Sequence, residues 1–149
     1  PPGPLDPVEG DLLGPVRTEQ LARPELIVSS PAVRALSTAQ GLAEAFGCSA
    51  GQLRSDERLY GGGARGLLAV LRGLDDALAR VVLVGHNPEV SELARHLAPQ
   101  IAHLPSGTLA ALAFDVPSWS ALAPQHLVSA SLHAPATAAP GASRGRAIA

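Results

Sequence analysis

His86 and Arg34 are the two side chains whose sequence surroundings equip them for chemistry. His86 lies in Val82-Leu83-Val84-Gly85-His86-Asn87-Pro88, where the aliphatic run Val81–Val84 has the composition of a strand buried on both faces, and hence of a parallel one. Asn87 is suited to cap a helix and Pro88 to occupy its first position, where a missing N–H costs nothing. Val90, Leu93, Ala94 and Leu97 then recur at helical spacing. His86 is thereby expected between a strand's carboxyl end and a helix's positive end. Arg34 has a matching context. Leu26-Ile27-Val28 reads as a strand, Ser30 as a cap and Pro31 as the first helical position; Val33, Leu36, Ala39, Ala43 and Phe46 trace a buried stripe until Gly47 stops the helix. In a first helical turn the free backbone N–H groups already favour an anion, and a guanidinium adds a planar fork matched to phosphate oxygens. Ligands of open α/β sheets gather at the carboxyl ends of strands, so the two units can direct Arg34 and His86 at one oxyanion.

Taken in order, Ser29-Ser30-Pro31-Ala32-Val33-Arg34-Ala35-Leu36-Ser37-Thr38-Ala39, Arg58-Leu59-Tyr60, Val82-Leu83-Val84-Gly85-His86-Asn87-Pro88 and Leu104-Pro105-Ser106-Gly107 resemble the SixA-like phosphohistidine phosphatases. These are part of the histidine phosphatase superfamily, together with the phosphoglycerate mutases. The resemblance runs from about Leu5 to Trp119, and its specificity comes from the pairing of the SSPxxRA and VGHNP motifs. It implies a three-layer α/β/α sandwich with a mostly parallel sheet. It also implies phosphoryl transfer to an attacking histidine, followed by hydrolysis of the covalent phosphohistidine. By the same carry-over Arg34 clamps phosphoryl oxygens, His86 contacts the phosphoryl group and stabilises its developing charge, and Ser106 and Gly107 complete the phosphate-binding set. Glu57, beside Asp56 and just before Arg58-Leu59-Tyr60, is the candidate proton donor. The bland alternative for both carboxylates is a turn. Neither a metal nor any other cofactor is implied, and the expected partner is a phosphohistidine-bearing protein or a small phosphoester.

One departure concerns the nucleophile. The resemblance calls for an Arg-His pair after the first strand, and no such pair occurs before Arg34. Leu5-Asp6-Pro7-Val8-Glu9-Gly10 resembles the segment that follows the first loop, so the chain is expected to begin downstream of the first strand, amino-terminally truncated, and to be inactive as it stands. The rival expectation is a non-catalytic phosphate-binding or interaction module that keeps Arg34 and His86. His96, His103, His126 and His133 do not substitute for the missing histidine, since none follows a strand at a capped turn.

Composition restricts the field. The 149 residues are 46% hydrophobic, which suits a single domain able to bury about 70% of its unfolded surface. That domain is expected over residues 1–133, with residues 134–149, rich in Pro, Ala, Gly and Ser, as a disordered tail. A net charge of −2 and 3% aromatic residues argue against nucleic-acid binding. No apolar run approaches the roughly 18 residues of a membrane helix, so no membrane partner is expected. Cys48 stands alone, without a disulfide or cysteine metal cluster within the chain, which makes the cytoplasm the expected location. Oligomeric state has no sequence signature here. Gly61-Gly62-Gly63-Ala64-Arg65-Gly66 satisfies a dinucleotide-binding glycine pattern, but Arg58-Leu59-Tyr60 is too short and polar to be its central strand. A loop entering a helix is expected instead, with Leu67, Leu68, Leu71, Leu74 and Leu78 as an apolar stripe interrupted near Gly73. Thr108 to Phe114 reads as a further strand, and the alternation from Leu127 to Leu132 as an edge strand.

Overall fold

The computed structural model describes residues 5–6, 22–101, 104 and 107–133. The expected tail at 134–149, and with it Ser106 and His103, lies outside the described residues. Nine elements follow in chain order: β1 (Leu5–Asp6), β2 (Leu26–Ser29), α1 (Val33–Phe46), β3 (Leu53–Ser55), α2 (Gly63–Arg72), β4 (Val81–Val84), α3 (Glu89–Leu97), β5 (Leu109–Phe114) and β6 (Leu127–His133). The strands form one six-stranded sheet in the order β3-β2-β4-β1-β5-β6. From β3 to β1 all neighbours are parallel, whereas β5 is antiparallel to both β1 and β6.

Every residue of β2 and β4 is buried, as their aliphatic composition requires of strands covered on both faces. The chain steps outward from β2 to β3 and then back across β2 to β4. Right-handed crossovers therefore put α1 on one face of the sheet and α2 on the other. α2 packs against α3, so the layers are α1, sheet, and α2 with α3. Burying each valine or leucine of β4 stabilises the fold by about 1.5–3 kcal/mol. That central strand is also the one that leads to His86.

Three sequence expectations need correction. Leu5–Asp6 does not merely follow a first loop: it pairs with β4 through Leu5↔Leu83 and Asp6↔Val84, and with β5 through Leu5↔Ala110. Leu5–Asp6 thus stands between β4 and β5 near the centre of the sheet. Helix α1 starts at Val33, with Ala32 at the cap, and not at Pro31 with Ser30 as cap. Ser30 instead accepts the Ala32 N–H in a separate turn (3.2 Å). The buried stripe of α1 is Ala35, Thr38, Ala39, Leu42 and Phe46, rotated from the expected one so that Val33 is 83% exposed. Gly47 does end the helix. Its φ of 76° is left-handed, its N–H reaches Glu44 O and the Cys48 N–H reaches Ala43 O (2.8 Å), which satisfies the last carbonyls. β3 carries no aliphatic run and was not expected; it is an edge strand held in register by Ile27↔Leu53.

The glycine-rich segment has a structural explanation. A Cβ on Gly62 would stand 2.4 Å from the Arg58 carbonyl oxygen, and one on Gly66 2.8 Å from it. Helix α2 begins within this segment, so these two glycines let its first turn lie against the preceding backbone. Leu67, Leu71 and Leu74 are buried and Leu68 and Leu78 pack beside them, with α2 ending at Gly73 as the interrupted stripe requires. Both β5 and the edge strand β6 fall where the sequence places them.

Candidate functional site

β4 delivers His86 to the carboxyl edge of the parallel strands. Gly85 makes this approach possible, because a Cβ there would meet Val90 Cγ2 at 3.0 Å and Leu67 Cδ2 at 3.6 Å. The His86 carbonyl accepts the Val90 N–H (2.9 Å), which ties the loop directly to the start of α3. The expected cap is displaced here. The Asn87–Pro88 peptide is cis and Pro88 occupies the cap position, with no side-chain cap bond. Asn87 Oδ1 is engaged by the Ser91 hydroxyl (2.7 Å), so it is occupied by a side chain within the helix rather than by a backbone N–H. Val90, Leu93, Ala94 and Leu97 are all buried as their spacing requires.

β2 brings the second component. Ser30 follows the last residue of β2, and its N–H continues the pairing by donating to Val84 O (2.9 Å). This register holds Ser30 against the loop after β4, where Ser30 Oγ lies 2.8 Å from His86 Nε2. Ser30 is wholly buried, His86 half-buried. The neighbouring Ser29 hydroxyl donates to the Ser30 carbonyl (2.8 Å).

A third segment arrives from β3. The Asp56 N–H donates to Ser29 O (2.9 Å), which fastens the end of β3 to the end of β2. Asp56 then caps a short 3₁₀ turn, Glu57–Leu59, by accepting the Arg58 N–H (2.9 Å). The same carboxylate takes two bonds from the Arg58 guanidinium, Nε at 3.0 Å and Nη2 at 2.7 Å. That side-chain pairing, reinforced by the backbone bond and opposed by burial, holds the Asp56 carboxyl below its usual range. The turn presents Tyr60, whose ring meets the His86 ring edge-on with centroids 5.5 Å apart and an interplanar angle of 74°. Tyr60 remains 63% exposed, so it stands at the mouth of the site.

Arg34 is exposed in the first turn of α1, a turn that contains no acidic residue. Because β2 and β4 are parallel neighbours, Ser29↔Val84, the start of α1 and the His86 loop share one edge of the sheet. Gly107 is buried with φ 80° just before β5. β5 runs antiparallel to β1, so its amino end lies at this same edge. Glu57 is exposed in the 3₁₀ turn before Tyr60, and no side-chain hydrogen bond joins it to His86 among the described residues. The other described histidines are elsewhere. His96 is exposed and lines an apolar groove of about 650 Å³ between α2 and α3, His126 is exposed, and buried His133 ends β6 with Nε2 3.2 Å from Ser131 Oγ. No group of three or more His, Cys, Asp or Glu among the described residues is arranged to hold a metal ion, and no described helix is long and apolar enough to cross a membrane.

From the sequence Ser30 reads as a cap and as part of the SSPxxRA motif, and Tyr60 as part of a motif, without either being paired with His86. The signal for Ser30 was its place one residue beyond an aliphatic run, opposite the equivalent point after Val84. Tyr60 gave no comparable signal, since its contact depends on the turn that Asp56 builds.

The mostly parallel sheet with three helices is shared with the SixA phosphohistidine phosphatases of the histidine phosphatase superfamily, which gives the chain the phosphoglycerate mutase-like fold. Among solved structures, the chain is similar to the SixA phosphohistidine phosphatase of Nakamurella multipartitia, at 25% identity and a TM-score of 0.60 over 75% of this chain and 72% of that one. It is similar also to SixA of Agrobacterium tumefaciens, at 25% identity and a TM-score of 0.55 over 64% of this chain and 65% of that one. A protein histidine phosphatase SixA complexed with tungstate shares the fold at 20% identity and a TM-score of 0.56, over 66% of this chain and 65% of that one. No protein-family model and no curated protein sequence matches the chain.

Proposed function

We propose that the chain is of the phosphohistidine phosphatase type and that its carboxyl-edge site binds a phosphoryl group. The observation that carries this is the 2.8 Å contact between His86 Nε2 and Ser30 Oγ, which joins the VGHNP and SSPxxRA segments at one edge of a SixA-like fold. In this reading Arg34 supplies fixed positive charge and a planar pair of donors to the phosphoryl oxygens. His86 donates a hydrogen bond to the same oxygens, and Ser106 and Gly107 complete the cradle. Such donors act on the charge that builds as the phosphorus is attacked. The substrate is a phosphohistidine on a cytoplasmic protein or a small phosphoester. With a phosphohistidine, the P–N bond breaks and the departing imidazole takes a proton, which asks less of an acid than an alkoxide would. Glu57 is assigned that proton when the leaving group is an oxygen.

The covalent route needs a histidine to attack phosphorus, and the family places it in an Arg-His pair directly after the first strand. After the central strand Leu5–Asp6 the sequence continues with Pro7, not with Arg-His. This favours a second reading, in which these residues bind the phosphoryl group without turning it over.

Titration of the 149-residue chain with tungstate and with phosphate, followed by calorimetry, tests the site. Binding is expected, and Arg34→Ala should weaken it by at least about tenfold, since a charge-assisted hydrogen bond is worth about 1.5–3 kcal/mol. A phosphohistidine peptide, incubated with the chain in excess chelator, then separates the readings. Hydrolysis supports the enzyme, and binding without hydrolysis supports the module. Failure to bind either oxyanion, or equal binding by the Arg34→Ala variant, overturns both.

A further inference from the structure

The hydroxyl hydrogen of Ser30 has few places to go. Ser30 is 0% exposed, so bulk water does not reach it. Its oxygen already accepts the Ala32 N–H at 3.2 Å. Among the described residues, the acceptor within hydrogen-bond distance of that hydroxyl is Nε2 of His86, at 2.8 Å. If Nε2 carried a proton and donated it to Ser30, the Ser30 hydrogen would be buried without an acceptor, a costly arrangement that folded proteins avoid. If Ser30 donates to Nε2, both groups are satisfied. A neutral imidazole that accepts at Nε2 must carry its proton on Nδ1.

We propose that Ser30 is a positioning residue that fixes His86 as its Nδ1–H tautomer. Nδ1–H is then the ring's one remaining donor, and on the phosphoryl-binding reading above, which this step rests on, it is the group that meets the oxyanion. Two further contacts keep the arrangement in place. The Ser30 N–H bond to Val84 O fixes the serine relative to β4, and the Tyr60 ring packs against the imidazole in a T-shaped pair. Second-partner control of a histidine's tautomer is a general device wherever one ring nitrogen must be reserved for a ligand.

The test is the ring nitrogen spectrum of the ¹⁵N-labelled 149-residue chain, read by long-range proton–nitrogen correlation where His86 is neutral. Nε2 should resonate as the unprotonated nitrogen and Nδ1 as the protonated one. Ser30→Ala should lower the ratio of Nδ1–H to Nε2–H by about tenfold, the size of one buried hydrogen bond. Ser30→Thr, which keeps the hydroxyl, should restore it. An Nε2–H ring in the unsubstituted chain overturns the proposal without recourse to any variant, as does a ratio unchanged by Ser30→Ala. Tungstate added to the same sample distinguishes the two levels. A ring held as Nδ1–H that does not respond to tungstate leaves the tautomer assignment standing and overturns the phosphoryl-binding reading.

Discussion

Replacing Gly66 with alanine tests the packing that carries Tyr60 to His86, because the outcome has the opposite sign to the usual one. Alanine in place of a glycine inside a helix ordinarily stabilises by about 0.5–1 kcal/mol, since glycine loses more backbone freedom on folding. Gly41, within α1, has nothing within 4 Å of an added Cβ and should show that gain. Gly66, within α2, is different: the new methyl would stand 2.8 Å from the Arg58 carbonyl oxygen, a backbone atom that cannot rotate away. Overpacking of this kind costs about 1–3 kcal/mol, which exceeds the helical gain and leaves a net loss of about 1 kcal/mol. Relief requires the Glu57–Leu59 turn to move, and Tyr60 moves with it. Urea unfolding of Gly41→Ala and Gly66→Ala measures the two signs, and the His86 ring-proton shifts report the displaced tyrosine. If Gly66→Ala stabilises the chain as much as Gly41→Ala does, the proposed close approach is wrong.

Further outcomes concern the scaffold. Arg72 donates from Nε (3.1 Å) and Nη2 (2.7 Å) to the carbonyl of buried Leu122, so Arg72→Ala should destabilise by about 1–2 kcal/mol and lower the melting temperature by roughly 3–6 °C, with Arg72→Lys recovering only part. A melting temperature within a degree or so of the unsubstituted chain would count against that anchor. Glu25 accepts the N–H groups of Ala79 and Arg80, which hold its carboxyl below the usual range. A carboxyl depressed in the folded state gives up protons more readily there than in the unfolded chain. Its contribution is therefore present above the ordinary carboxylate value and is lost as pH falls through the lower folded one. Melting curves from neutral pH to about pH 3 should accordingly fall less steeply for Glu25→Gln than for the parent, and equal slopes would refute the assignment.

The two strand-to-helix units were legible because β4 is aliphatic throughout and β2 is aliphatic up to Ser29, and the strands of a covered parallel sheet have few other compositions open to them. Their helices were legible to different degrees. α3 has Val90, Leu93, Ala94 and Leu97 on one face and charged residues on the other, so one orientation buries it well. α1 is rich in alanine, and Val33, Leu36 and Ala43 offer a competing stripe that shares Ala39 and Phe46 with the observed one. Packing on the sheet, not periodicity, chose between them. β3 was hidden because Leu53-Arg54-Ser55 is half-buried at best and owes its strand character to pairing with β2. β1 was hidden because two residues carry no period at all. At the site, His86 and Arg34 could be singled out from their positions after aliphatic runs. The partnership of Ser30 with His86 depends on the register between β2 and β4, and the approach of Tyr60 on a turn closed by an aspartate, neither of which is written in local sequence.

The bond between Ser30 and His86 spans 56 residues of chain, yet each end is anchored to one of two adjacent, fully buried strands. The register of the sheet therefore sets the backbone on both sides of this contact, and what remains to open it is rotation of the His86 side chain. Amide hydrogens along β2 and β4 should exchange only through global unfolding, and an anion held between their ends would protect the whole domain rather than one loop. On the phosphoryl-binding reading, recognition there would work by a rigid fit to a small, compact group, with adaptation to the remainder of a larger substrate left to the exposed residues at the rim.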